Sequence, residues 1–263
     1  MYTDESLIAF CQRALQTPSV SGQEQAMAEL MRERMLALGF DEVVFDRLGN
    51  VIGTIHGKRP GKTILLDGHM DTVDVIDAAE WSHDPFGGEI SDGKIYGRGA
   101  SDMKGSDCAM VMAAGRFAAQ TKKDFAGTIC VSGSVHEERF EGVAPREITK
   151  RIHPDFVIVG EEKCWTGDTI RAKRYFPAWA VDEHSELVTK ARRGLLAAGI
   201  DAPLSHFSFC TNGSHFCGEA GIPTIGYGPS LESLAHVRDE YIEIAQLTKA
   251  CRGFESILSE LTK

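Results

Sequence analysis

Two short runs, TILL at residues 63–66 and FVIV at 156–159, are apolar without alternation. A strand with one face in water alternates apolar and polar side chains, whereas a strand covered on both faces has no need to. These runs constrain the chain most, because they require a sheet with helices on each side. Helical patterns interleave with them. Residues 4–16 and 22–38 read as helices, the second capped by Ser21, with Ala26, Leu30, Met31 and Met35 on its apolar face and Gly39 as its stop. A helix of small residues, SDCAMVMAAGRFAAQ, follows Gly105, and residues 183–199 and 241–262 read as two more. Further strands fall at 50–56, 89–96 (broken by Asp92-Gly93), 127–135, 204–210 and 221–229. The alternation predicts an α/β fold, a three-layer sandwich about a mostly parallel mixed sheet. No repeat, low-complexity segment or linker divides the 263 residues, so a single domain over 1–263 is expected. The stretch 163–179 is the least regular and has no usable period.

Composition narrows the function classes. The formal charge is −10, and no basic run exceeds two residues, as in Lys122-Lys123 and Arg192-Arg193, so no nucleic-acid partner is expected. No run approaches the roughly 20 apolar residues of a membrane span, and MYTDESLIAF has neither the basic nor the apolar region of a signal peptide. The 7 cysteines form no C-x-x-C pair, which fits a reducing cytoplasm and argues against a zinc ribbon.

Polar clusters recur where the strands end. GHMD follows the run at 63–66, GRGASDMKG (97–105) follows residues 94–96, VHEERFEG (135–142) follows the strand at 127–135, and VGEEKCW follows 156–159. AHVRDE (235–240) lies beyond IPTIGYG. In open α/β sheets ligands bind outside the carboxyl ends of strands, so these five clusters are placed to converge in one cleft. Imidazoles and carboxylates without thiolates suit Zn²⁺, Co²⁺ or Mn²⁺. A pair of such ions needs a bridging carboxylate and terminal ligands. His69 and His236 can serve one ion each, Asp102 can bridge, and Glu138 and Glu161 can complete the two sets. Glu137, beside a ligand but spare, is placed as a general base. HEER at 136–139 is not H-E-x-x-H, GRGAS is not G-x-G-x-x-G, and GSVHE is not G-x-S-x-G, so the commoner metallopeptidase helix, a dinucleotide loop and a serine nucleophile all lack support.

Taken together, GHMDTV, GRGASDMKG, HEE, VGE and a late AH followed by acids resemble the M20 family of dinuclear metallopeptidases and amidohydrolases, in order and spacing over nearly the whole chain. The resemblance implies a phosphorylase/hydrolase-like catalytic domain holding two divalent metal ions, zinc in the first place with cobalt or manganese as alternatives. It implies terminal ligands at His69, Glu138, Glu161 and His236, a bridge at Asp102, and a base at Glu137. Asp71, in H-x-D, would orient the liganding His69, and the Asp102-Met103 peptide would be cis. The substrate would be a peptide or N-acyl amino acid cleaved at an amide bond.

Two departures stand out. His136 occupies the place of the usual acid before the Glu-Glu pair, and a role behind the ligands is expected for it. The lid or dimerisation domain of the family is absent at about 163–165, where VGEEKCW runs almost directly into RYFPAWAVDEH. Without a lid the cleft is wetter and its electrostatic grip weaker, so a monomer of reduced activity is expected. Arg98, Arg139 and Asn212 are candidates to meet a substrate carboxylate. A non-catalytic metal-binding protein that keeps the ligands, and a structural α/β domain with solvated acidic rims, are the rival readings.

Overall fold

Ile64 and Leu66 point into one hydrophobic core and Leu65 into another, the period of two that a strand imposes. They lie in β3 (Arg59–His69). The computed structural model describes residues 2–140, 142–160, 177–206 and 209–263. The remaining strands of the main sheet are β1 (Glu42–Phe45), β2 (Val51–His56), β6 (Ala126–Ser134), β7 (Phe156–Val159) and β8 (Thr224–Gly226). Their order is β1-β2-β6-β3-β7-β8. The β6-β3, β3-β7 and β7-β8 pairs are parallel, and β1-β2 and β2-β6 antiparallel. The mixed, mostly parallel sheet is as expected.

Helices cover both faces. The larger core joins the sheet to α1 (Asp4–Leu15), α2 (Gln25–Ala37), α3 (Lys104–Thr121), α6 (Glu186–Ala197) and α7 (Ile244–Leu261). The smaller one packs Leu65, Cys130, Val157 and Val159 against Ile148 of α5 (Pro145–Ile152) and Phe216 of a π-helical turn at Ser214–Glu219. Helix α3 is buried at every position from Lys104 to Ala118, which is why its small residues show no amphipathic stripe. Its Asp107 lies so close beneath β3 that a Cβ added to Gly68 would sit 2.1 Å from Oδ1. A side chain at Gly68 would have to displace the ends of Asp107, Met103 and Met110.

Several elements differ from the sequence reading. Residues 89–96 form a hairpin, β4 (Ile90–Ser91) and β5 (Lys94–Tyr96), turning at Asp92-Gly93 with φ of 49° and 74°. It belongs with β9 (Tyr241–Glu243) to a separate three-stranded sheet, so the closing helix starts at Ile244 rather than 241. Of the strand expected at 204–210, the described residues 204–206 and 209–210 form none, and 204–206 are exposed. Residues 207–208, and the junction expected at 163–165, fall outside the described residues. Helix α2 begins after Glu24 rather than Ser21. Strand β1, the short helix α4 (Glu137–Phe140) and α5 were not read from the sequence.

Candidate metal centre

Three routes of chain meet at the carboxyl edge of the main sheet. Strand β3 delivers His69 at its last residue. Strand β6 ends at Ser134 and passes through His136, at a left-handed φ of 58°, into Glu137 and Glu138 of α4. The small sheet supplies the third, Asp102 in the loop after β5 and His236 in the loop before β9. Of the expected clusters, GRGASD and AHVRDE thus arrive from the second sheet. His236 also has a positive φ, 61°, a conformation costly for a residue with a Cβ and tolerated where the surroundings impose it.

The side chains converge. His69 Nε2 lies 3.1 Å from Asp102 Oδ1, and His236 Nε2 lies 3.1 Å from Asp102 Oδ2. His236 Nε2 is also 3.1 Å from the Glu138 carboxylate. One ligand atom each from His69, Asp102 and Glu138 fit within 4.8 Å of one another. Glu137 Oε2 stands 3.9 Å from His69 Nε2. Glu161 lies outside the described residues.

The polarity of these contacts calls for positive charge. His69 Nδ1 faces the Asp71 carbonyl oxygen at 3.0 Å while Nε2 faces Asp102. A neutral imidazole has one N–H, so one contact sets lone pair against lone pair unless a cation stands between. Protons alone would have to fill that role. Burial pulls the His69 pKa down, yet hydrogen bonds to Asp102 and Asp71 lift it well above the usual value. Asp102 and then Glu138 drive His236 up to about 10. Burial and the neighbouring Asp102 charge push Glu138 upward. Asp102 resists burial and falls well below the carboxylate range between the two imidazoles. Imidazole nitrogens and carboxylate oxygens without sulfur are a donor set for divalent Zn, Co or Mn, and the residues fit such ions.

Asp71, expected to orient His69, contacts more of this cluster than that histidine. Its carboxylate is 3.6 Å from His69 Nδ1, and the close partner of that nitrogen is its backbone carbonyl. The carboxylate itself accepts the backbone N–H groups of Glu137 at 3.0 Å and Glu138 at 3.2 Å, and Ser21 Oγ donates to it at 2.6 Å. Burial raises the Asp71 pKa, but His69 and these donors bring it below its ordinary value. Glu24 accepts the N–H groups of Gly22 and His136. The His136 ring is half exposed, 3.8 Å from Glu24.

A second support is Glu240, to which the sequence reading gave no role. Fully buried, its Oε1 accepts the N–H groups of Ser101 at 2.8 Å and Asp102 at 3.0 Å, and Arg98 donates to its Oε2 at 2.7 Å. Burial raises its pKa to about 7 against the pull of Arg98. The Asp102-Met103 peptide that follows is cis, as the resemblance implies. The signal for Glu240 was present in HVRDE, where two acids close behind the histidine had no use assigned. Arg98, stacked over Trp81, is therefore bound to Glu240. Asn212 is buried too, donating to Asp67 at 3.0 Å and Ser134 at 2.9 Å and accepting from Gly142. Arg139 lines the adjoining cavity.

The sequence profile of "Peptidase family M20/M25/M40" matches residues 65–260. A succinyl-diaminopimelate desuccinylase of Cereibacter sphaeroides is 32% identical over 214 residues, covering 76% of this chain and 56% of the relative. The chain thus spans about half the length of the curated relatives it matches. Among solved structures, aminopeptidase PepT of Bacillus cereus superposes with a TM-score of 0.77 at 16% identity, over 99% of each chain. The YXEP protein of Bacillus subtilis, described as a dinuclear metal-binding M20 peptidase, gives 0.71 at 12% identity over 97% of this chain and 96% of its own. At these identities the likeness is one of fold.

Proposed function

From the premise that the chain belongs to peptidase family M20/M25/M40, we propose that it hydrolyses an amide bond in a peptide or N-acyl amino acid, with two divalent cations held by its own side chains. The observation that carries this reading is Asp102, with one oxygen facing His69 and the other facing His236 at 3.1 Å each. His236 and Glu138 would hold one ion, His69 and Glu161 the other, and Asp102 would be shared between them. When bound, such a pair supplies Lewis acidity to the amide carbonyl and lowers the pKa of water.

The rest falls to the chain. Glu137 accepts the proton of the attacking water and returns it to the leaving nitrogen. Its backbone N–H on Asp71 fixes where that carboxylate can reach. Asp71, Ser21 and Glu240 touch no substrate; they hold the groups that do. We further propose that the chain acts as a monomer, that it carries no lid domain near 163–165, and that its rates are modest. Among the described residues no helix is long and apolar enough to cross a membrane.

The test is hydrolysis of a panel of dipeptides and N-acyl amino acids by metal-stripped protein to which Zn²⁺, Co²⁺ or Mn²⁺ is returned. Metal-dependent turnover that falls about 10²–10⁴-fold in Glu137→Gln supports the reading. Stoichiometric metal binding without turnover favours the non-catalytic rival.

A further inference from the structure

His236 stands in a stretch of chain that is largely in solvent. Leu231, Ser233, Val237 and Arg238 are exposed, as is His236 itself, whereas Ser230 and Glu240, at the two ends of the stretch, are buried. Both ends fasten to one residue. Ser230 Oγ lies 2.5 Å from Ser101 Oγ, and Glu240 Oε1 accepts the Ser101 backbone N–H at 2.8 Å. Ser101 immediately precedes Asp102, the acid that faces both imidazoles. The loop carrying one proposed ligand is thus closed at its base on the neighbour of another. A hydroxyl has one proton and two lone pairs, so Ser101 can accept from Ser230 and donate to the Leu231 carbonyl, 3.4 Å away. On the Glu240 side of His236, Asp239 also accepts the backbone N–H groups of Ser82 and His83, and Arg238 pairs with Asp77 and Glu80. The other side is fastened at Ser230.

The backbone of Ser230 makes this contact notable. Its φ is 91°, in a region that glycine enters freely and a residue with a Cβ rarely adopts. Strain of this kind persists where the surroundings over-determine a residue, and it points to a use for the side chain held there. We propose that Ser230 is a positioning residue, whose hydrogen bond to Ser101 sets the span between Asp102 and His236 and so builds the seat of the ion assigned to His236 and Glu138. The inference rests on the two-cation reading above. The ion assigned to His69 does not depend on this clasp, because His69 is fixed by β3 and by the Asp71 carbonyl.

The decisive variant is Ser230→Gly, which deletes the hydroxyl at a position whose backbone glycine suits. Calorimetric titration of metal-stripped protein with Zn²⁺ should show two ions in the wild type. In Ser230→Gly one of them should bind at least about 10-fold more weakly. It should be the ion lost in His236→Ala, and the other should keep its affinity. The urea midpoint of the metal-free variant should stay close to the wild type's, because relief of the backbone offsets the lost hydrogen bond and the freer unfolded chain. Ser101→Ala should show the same selective loss. Combining the two substitutions should cost no more than either alone, since both remove one hydrogen bond. The proposal is overturned if Ser230→Gly binds both ions as the wild type does, if both ions weaken together with a lowered urea midpoint, or if the two losses add. A wild type that takes up no Zn²⁺ contradicts the two-cation reading and the clasp with it. A wild type that takes up two, with Ser230→Gly unchanged, contradicts the clasp alone.

Discussion

Asp71 Oδ1 accepts the backbone N–H of Glu137 at 3.0 Å. The residue two positions after the β3 histidine thereby fixes the start of α4, which carries the proposed base. Replacing it with alanine removes a buried anion and leaves two N–H groups and the Ser21 hydroxyl short of a partner. A loss of about 3–5 kcal/mol is expected in urea unfolding, with metal affinity down about 10–100-fold. Asp71→Asn, which can still accept, should lose less of both. Equal losses in the two variants would show that the backbone contacts carry little.

Glu240 and Arg98 form a fully buried ion pair whose acid also holds the Ser101 and Asp102 backbone. Glu240→Gln keeps an acceptor for that backbone but strands the guanidinium, at an expected cost of about 3–5 kcal/mol. Arg98→Met combined with Glu240→Gln removes the stranded charge and should recover part of that loss, since a buried pair is often replaceable by apolar groups. Denaturation of the two variants side by side checks this. A double variant no more stable than the single one would contradict it.

Asp107 on α3 is fully buried, and neither carboxylate oxygen has a hydrogen-bond partner among the described residues. Burial pushes its pKa well above the ordinary value. The folded protein therefore keeps a proton that the unfolded chain releases above about pH 4. The unfolded state then binds fewer protons, so this group erodes stability as pH rises toward its folded pKa. Asp107→Asn is neutral throughout. Its urea midpoint should exceed the wild type's at pH 8, with the gap closing toward pH 4. Parallel profiles for the two proteins would count against the assignment.

How much of this could be read from the sequence depends on what each residue does. That His69, Asp102, Glu138 and His236 would come together was legible because their clusters follow expected strands. The doubly covered strands were legible because Ile64, Leu65 and Leu66 leave no polar face. Glu240, Ser21 and the full part played by Asp71 were not, because each acts on backbone N–H groups or on another carboxylate, and a backbone partner leaves no mark in a sequence. The half-exposed EVVF strand at the sheet edge and the polar helix α5, buried through Pro145 and Ile148, are too short to show a period. The second sheet was hidden because residues 90–96 meet Tyr241–Glu243 from far along the chain.

Metal stoichiometry tests the proposed nest for two cations bridged by Asp102 most directly. Protein dialysed against Zn²⁺ and washed free of loose ions should carry two ions per chain by elemental analysis, and Asp102→Ala, confirmed folded by circular dichroism, should carry fewer than one. A wild type with no tightly held metal, or a folded Asp102→Ala that keeps both ions, would contradict it.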